Sequence, residues 1–154
     1  MRSIHDWFAS YSKDHQNPTN RLIHWICVPA ILWSVIAALW TLPVPSSLGQ
    51  PGLWCALLMV GVLTFYWRLS RALGAAMIVV FVVLAFVTHL AYDALGPARL
   101  LELAAAVFIV AWIGQFVGHR LEGARPSFLT DLVYLLIGPA WLVGKIMRRA
   151  RIAY

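Results

Sequence analysis

Residues 73–92 read LGAAMIVVFVVLAFVTHLAY, a run without a single Asp, Glu, Lys or Arg. As a helix rising about 1.5 Å per residue it is about 30 Å long, the thickness of the hydrocarbon core of a bilayer. The charges on either side repeat the message. None occurs between Arg21 and Arg68, between Arg71 and Asp93, or between Glu102 and Arg120, and each gap is mostly apolar. Of the 154 residues, 62% are hydrophobic and 12% are charged, against about 25% charged in a soluble domain. Twelve basic and six acidic side chains cannot cover the surface of a water-soluble fold of this size. The composition excludes a disordered tail, a coiled coil rich in Glu and Lys, a disulfide scaffold and a multidomain enzyme.

The expected architecture is an all-α polytopic membrane bundle, a single integral membrane domain over residues 1–154 with no internal repeat. Four transmembrane helices are expected at about 22–42, 53–67, 73–92 and 100–118. Pro29 lies inside the first and is a candidate kink. Residues 132–143 are too short for a crossing, contain Gly138-Pro139, and read as a re-entrant or interfacial helix. At the N-terminus, Ile4, Trp7, Phe8 and Tyr11 fall at i, i+3, i+4 and i+7, which predicts an amphipathic helix over 1–14 lying at the interface. The first twenty residues are polar and lack an apolar core with a cleavage site, so no signal peptide is expected. Asn17-Pro18 favours a turn, with Thr19 or Asn20 as cap of the helix that follows.

With four crossings, one side collects Arg2, Lys13, Arg21, Arg68, Arg71, Arg120, Arg125, Lys145, Arg148, Arg149 and Arg151, and the other only Arg99. Eleven against one is a strong positive-inside bias and puts both termini in the cytoplasm of a multi-pass protein. The same placement explains the formal net charge of +6 without nucleic acid, because the basic residues flank apolar runs instead of forming a phosphate-binding stripe. Cys27 and Cys55 lie in separate apolar runs and form no CxxC, so they read as small packing residues.

In so apolar a chain the informative residues are the polar ones at span ends. His15 and His24 are nine residues apart, which on one continuous helix would put them on opposite faces; the Asn17-Pro18 break lets the chain fold back and bring the rings together. Gln115, His119 and Glu122 follow at i, i+4 and i+7 and share a helical face. Four crossings put the start of the first span and the end of the fourth on the same side, so His15, His24 and His119 can meet there. His89 is left about 20 Å away at the other end. Three imidazoles near a carboxylate suit a transition metal with open positions for other ligands; equally, interfacial histidines bind lipid headgroups or cap helix ends, and the spacing leaves both readings open. His5 and His89 read as structural, and Gln115 as a ligand-side group or a helix-to-helix hydrogen bond. Glu122 is a candidate ligand, a partner orienting an imidazole, or an ion-pair partner of Arg120 or Arg125. Arg21, Arg120 and Arg125 read as interfacial anchors or as partners for a carboxylate or phosphate.

The two segments HQNPTNRLIHWICVPA (15–30) and WIGQFVGHRLEGARPSF (112–128) together resemble the Mpo1-like family, once a domain of unknown function. The match rests on His15, Asn20, His24, Pro29, Gly118, His119, Glu122 and Pro126, with Cys27 standing where Gly is expected. The resemblance extends over nearly the whole chain as a polytopic membrane protein. It implies an Fe(2+)-dependent dioxygenase that shortens 2-hydroxy fatty acids by one carbon with O2, in a bacterial inner membrane or the endoplasmic reticulum. It further implies His15, His24 and His119 as metal ligands and Glu122, Arg120 and Arg125 as catalytic residues. The expected partners are the 2-hydroxy fatty acid, O2 and membrane lipids. The alternative is a non-enzymatic membrane scaffold or lipid-binding protein using the same residues on headgroups.

Overall fold

Ser3 opens the first helix with a capping box: its hydroxyl accepts from the Asp6 N–H while the Asp6 carboxylate accepts from the Ser3 N–H. The computed structural model describes residues 3–123 and 133–154, and within them the chain is all-helical, with no strand. The helices are α1 (Ile4–Lys13), α2 (Pro18–Trp40), α3 (Leu53–Leu69), α4 (Arg71–Glu122) and α5 (Tyr134–Arg149).

The start of α2 differs from the expected one. Asn17, not Thr19 or Asn20, is the cap: its side-chain oxygen accepts from the N–H groups of Thr19 and Asn20, and Pro18 takes the first helical position, where its missing N–H goes unneeded. Pro29 sits inside α2 without ending it. At 23 residues α2 is about 35 Å long.

Residues 93–99, expected as a turn, stay helical except at Gly96, whose φ of 75° and ψ of 168° interrupt α4. That region of backbone space is open essentially to glycine alone. Pro97 reinforces the break, because it disfavours a helical residue before it and starts a new helix after it. The 52 residues of α4 therefore act as two helices, 71–95 and 97–122.

Packing pairs show the two halves running in opposite directions. Going up α2, Asn20 lies against Gly118, Cys27 against Gly114, and Ala37 against Leu100 and Ala104; Trp40, at the top, lies tilted against His89 at 6.3 Å. The first half runs antiparallel to α3, with Trp67 on Gly74 and Tyr66 against Phe81. Ser70 alone makes the turn between them, and its hydroxyl caps α4 at Leu73. Both α2 and α4 are long and apolar enough to cross a membrane, and they turn outward large apolar side chains such as Leu22, Ile26, Val79, Val82, Phe86, Val110 and Ile113.

The amphipathic helix α1 does keep Ile4, Trp7, Phe8 and Tyr11 on one buried face. What covers that face is α5: Trp7 meets Tyr134 edge-on at 5.3 Å, Tyr11 meets Trp141 at 5.1 Å, and the Trp141 indole N–H donates to Ser12 Oγ at 2.9 Å. Pro139 withdraws one helical donor within α5, and in the turn before it the Leu136 carbonyl accepts from the Tyr66 hydroxyl at 2.8 Å. Helices α1 and α5 thus form a layer across the end of the bundle where α2 begins and α4 finishes.

Candidate metal centre

His15 follows the last turn of α1, His24 lies on the second turn of α2, and His119 lies on the last turn of α4. The three residues are 2%, 1% and 4% exposed, so bulk solvent barely reaches them. Ring centroids are 4.2 Å apart for His15 and His24, and 5.0 Å from His119 to each. One nitrogen from each ring lies within 4.8 Å of the others, so the group is sized to hold a metal ion.

Hydrogen bonding fixes two of the tautomers. His15 Nδ1 is 2.6 Å from the Tyr11 carbonyl, and His24 Nδ1 is 2.9 Å from the Asn20 carbonyl. A carbonyl only accepts, so each Nδ1 carries the hydrogen and each neutral ring presents a bare Nε2. Those two Nε2 atoms face each other at 2.9 Å. Two lone pairs at that separation repel unless a cation lies between them. His119 Nδ1 is buried and has no hydrogen-bond partner among the described residues. The residues present therefore fit a metal ion. Burial also pushes the His15 imidazole below the usual histidine range, which favours the neutral form that a metal requires.

The rings are held from behind. Tyr11 stacks on His15 at 4.1 Å with an interplanar angle of 11°, and Trp141 packs at 5.6 Å. Glu122 closes the opposite side: its carboxylate accepts from the backbone N–H groups of Gln16 at 2.7 Å and Asn17 at 2.9 Å, and from the Asn20 amide at 2.9 Å. Among the described residues, its hydrogen-bond donors belong to the turn and helix that carry His15 and His24. Arg120 is exposed on the last turn of α4, and Arg125 and Pro126 lie outside the described residues. His89 stands at the far end, 3.5 Å from Asp93.

Two cavities border the triad, on different histidines. One, of about 380 Å³, starts at Tyr11, His24, Gln115 and His119 and continues between apolar side chains including Val35 and Phe108. The other, of about 330 Å³, adjoins His15 and is basic, with Arg21 and Lys145 among its walls. Sequence reading did not single out Tyr11, Trp141 or Lys145 for the site. One available signal was Gly114-x-x-x-Gly118, a small-residue spacing that brings helices into close contact; a Cβ on Gly118 would overlap Asn20 Oδ1, and one on Gly114 would lie 2.7 Å from the Cys27 sulfur.

A helical bundle with a buried three-histidine centre between an apolar and a basic cavity is the class of protein that this geometry defines. The family model described as 2-hydroxy-palmitic acid dioxygenase Mpo1-like matches residues 1–103 and 68–150, and the chain belongs to the Mpo1-like family. The 2-hydroxy-palmitic acid dioxygenase MPO1 of Saccharomyces cerevisiae is 31% identical over 128 residues, which cover 82% of this chain and 69% of the yeast protein. No solved structure matches.

Proposed function

We propose that this chain is a membrane dioxygenase that holds Fe(II) through His15, His24 and His119 and shortens 2-hydroxy fatty acids by one carbon. The observation that carries the reading is the pair of bare Nε2 atoms 2.9 Å apart, buried beside His119 at the mouth of an apolar cavity. The yeast relative is named for a reaction on 2-hydroxy-palmitic acid, a substrate with a long apolar chain and a chelating head.

The balance of the reaction suits so small a protein. A 2-hydroxy acid and O2 contain the atoms of the acid one carbon shorter, carbon dioxide and water. The four electrons released by the two head carbons are the four that O2 takes, so no further reductant is needed. Bound Fe(II) would supply open coordination positions for the hydroxy acid and for O2. The chain's own residues do the rest. The Tyr11 and Asn20 carbonyls hold the Nδ1 hydrogens and aim both Nε2 atoms inward. Tyr11 and Trp141 shield His15 from water, the cavity from Val28 to Val35 takes the acyl chain, and Gln115 offers an amide to the oxygen-bearing head. Glu122 acts by position, through the turn it binds, while Arg120 and Arg125 serve as interfacial charges.

In this reading α2, α3 and the two halves of α4 make four crossings, with α1, α5 and both termini at the cytoplasmic face. The eleven-to-one distribution of basic residues and the outward-facing Val, Ile, Leu and Phe side chains support it. Reporter fusions at residues 43–52 and at the C-terminus should report opposite sides of the membrane; the same side for both would rule out four crossings.

The deciding experiment combines metal analysis with oxygen uptake. Detergent-purified protein should contain about one iron per chain and consume O2 with 2-hydroxypalmitate, releasing the shorter acid without added reductant. His24→Ala and His119→Ala should lose both iron and turnover while remaining folded. Full iron and full turnover in these variants would refute the site, and a wild type without metal or oxygen uptake would favour a lipid-binding scaffold.

A further inference from the structure

The basic cavity beside His15 has no role in holding the metal, yet it gathers four cations. Arg21 enters from the first turn of α2, and Lys145, Arg148 and Arg149 enter from the last turns of α5, with Ser12 completing the polar wall. None of the four is in ion-pair contact with a carboxylate among the described residues. Lys145 instead places its ammonium 3.4 Å from the centroid of the Trp141 ring, a cation–π contact that fixes the charge beside the ring packed on His15. Burial, together with the positive charges of Arg21, Arg148 and Arg149, pulls the Lys145 ammonium down to about 8. Like charges gathered in a partly enclosed space are costly, and an oxyanion among them would remove that repulsion.

The position of this cavity says which oxyanion. His24 and His119 line the apolar cavity, and His15 lines the basic one, so the triad stands between the two. A ligand that spans them has a long apolar chain at one end, a negative charge at the other, and its reactive carbons at the triad. We infer that the basic cavity is the carboxylate-recognition site for the acyl substrate, with Lys145 and Arg21 as its anchoring residues; the inference rests on the acyl chain occupying the apolar cavity as proposed above. It also sets the position of attack. With the carboxylate fixed beside His15, the carbon next to it is the one presented to the metal, so a hydroxyl at position 2 is selected over one farther along the chain.

The test is equilibrium binding to the full-length, metal-free protein in detergent, followed by tryptophan fluorescence and calorimetry. The probes are 2-hydroxypalmitate and the neutral vicinal diol of the same chain length. Wild type should prefer the acid; Lys145→Ala and Arg21→Ala should each weaken acid binding about tenfold, as expected for losing one charge-assisted hydrogen bond, and leave the diol unchanged. Lys145→Arg and Arg21→Lys, which keep the charge, should keep the preference and thereby separate recognition from folding. A double alanine variant that still prefers the acid overturns the inference. So does loss, in that variant, of binding to phosphatidylglycerol vesicles with the acid preference intact, because the cavity would then be a headgroup site. Turnover is read separately: an acid preference that depends on these residues in a protein without dioxygenase activity would defeat the enzymatic reading alone. Turnover with no such dependence would defeat the carboxylate site alone.

Discussion

The Asn20 side-chain amide donates to the Glu122 carboxylate at 2.9 Å, joining the first turn of α2 to the last turn of α4 across 102 residues of sequence. The same carboxylate accepts the N–H groups of Gln16 and Asn17. Glu122 is therefore a latch that sets His15 and His24 opposite His119.

In the proposed metal centre, removing the latch should weaken metal binding without removing a ligand. Glu122→Ala is expected to weaken iron affinity about 10–100-fold, as loss of a partner behind metal ligands commonly does. Asn20→Ala should do less, and the double variant should be less than additive because the two share one hydrogen bond. Competitive metal titration of the four proteins would check this; strict additivity would mean that the pair does not act as a unit.

Gly118 should be intolerant of a single methyl group. Gly118→Ala would drive a Cβ into Asn20 Oδ1, and overpacking of this kind destabilises by about 1–3 kcal/mol. Gly61 is the control, since a Cβ there meets nothing within 4 Å. Gly61→Ala should instead stabilise α3 by about 0.5–1 kcal/mol, because glycine is a poor helix residue. Thermal unfolding in detergent should place the two variants on opposite sides of wild type.

Chain-length preference should be set by the far end of the apolar cavity. Val35 lies eleven residues beyond His24 on α2, about 16 Å along the helix. Val35→Trp should move the preferred substrate to shorter acyl chains and leave iron content at the wild-type level. An unchanged length profile would show that the chain lies elsewhere.

Binding of the acid should weaken as pH rises through about 8, where Lys145 loses its proton. The sign follows from the depressed value: below it the ammonium is charged and attracts the carboxylate, above it the amine is neutral. The groups facing Lys145 are Arg21 from α2, Arg148 and Arg149 from its own helix, and His15 from the turn after α1. The arginines keep their charge throughout, so the loss should be partial. Lys145→Arg should flatten the profile up to pH about 9.5, and a wild-type profile already flat over this range would contradict the assignment.

Much of this molecule was legible as pattern. The long uncharged runs demanded helices, because only an internally hydrogen-bonded backbone suits apolar surroundings. The i, i+3, i+4, i+7 face of α1 was readable because that spacing follows directly from 3.6 residues per turn. Helical periodicity does not say what covers such a face, and here α5 does, by way of Trp7–Tyr134 and Tyr11–Trp141. The expected turn at 93–99 shrank to Gly96 because one glycine with positive φ followed by proline reverses the chain without ending the hydrogen-bonded run on either side.

The site divides in the same way. Sequence alone determined that His15, His24 and His119 could share one end of the bundle, since the number of reversals fixes which segment ends are neighbours. Only the tertiary structure decided that two Nε2 atoms face each other at 2.9 Å, because ring orientation depends on which carbonyl each Nδ1 meets. It likewise decided that Glu122 binds the backbone of residues 16 and 17, and that Lys145 and Arg21 border the cavity beside His15. Contacts between residues about a hundred positions apart leave no periodic trace in the chain; they arise where α2, α4 and α5 converge.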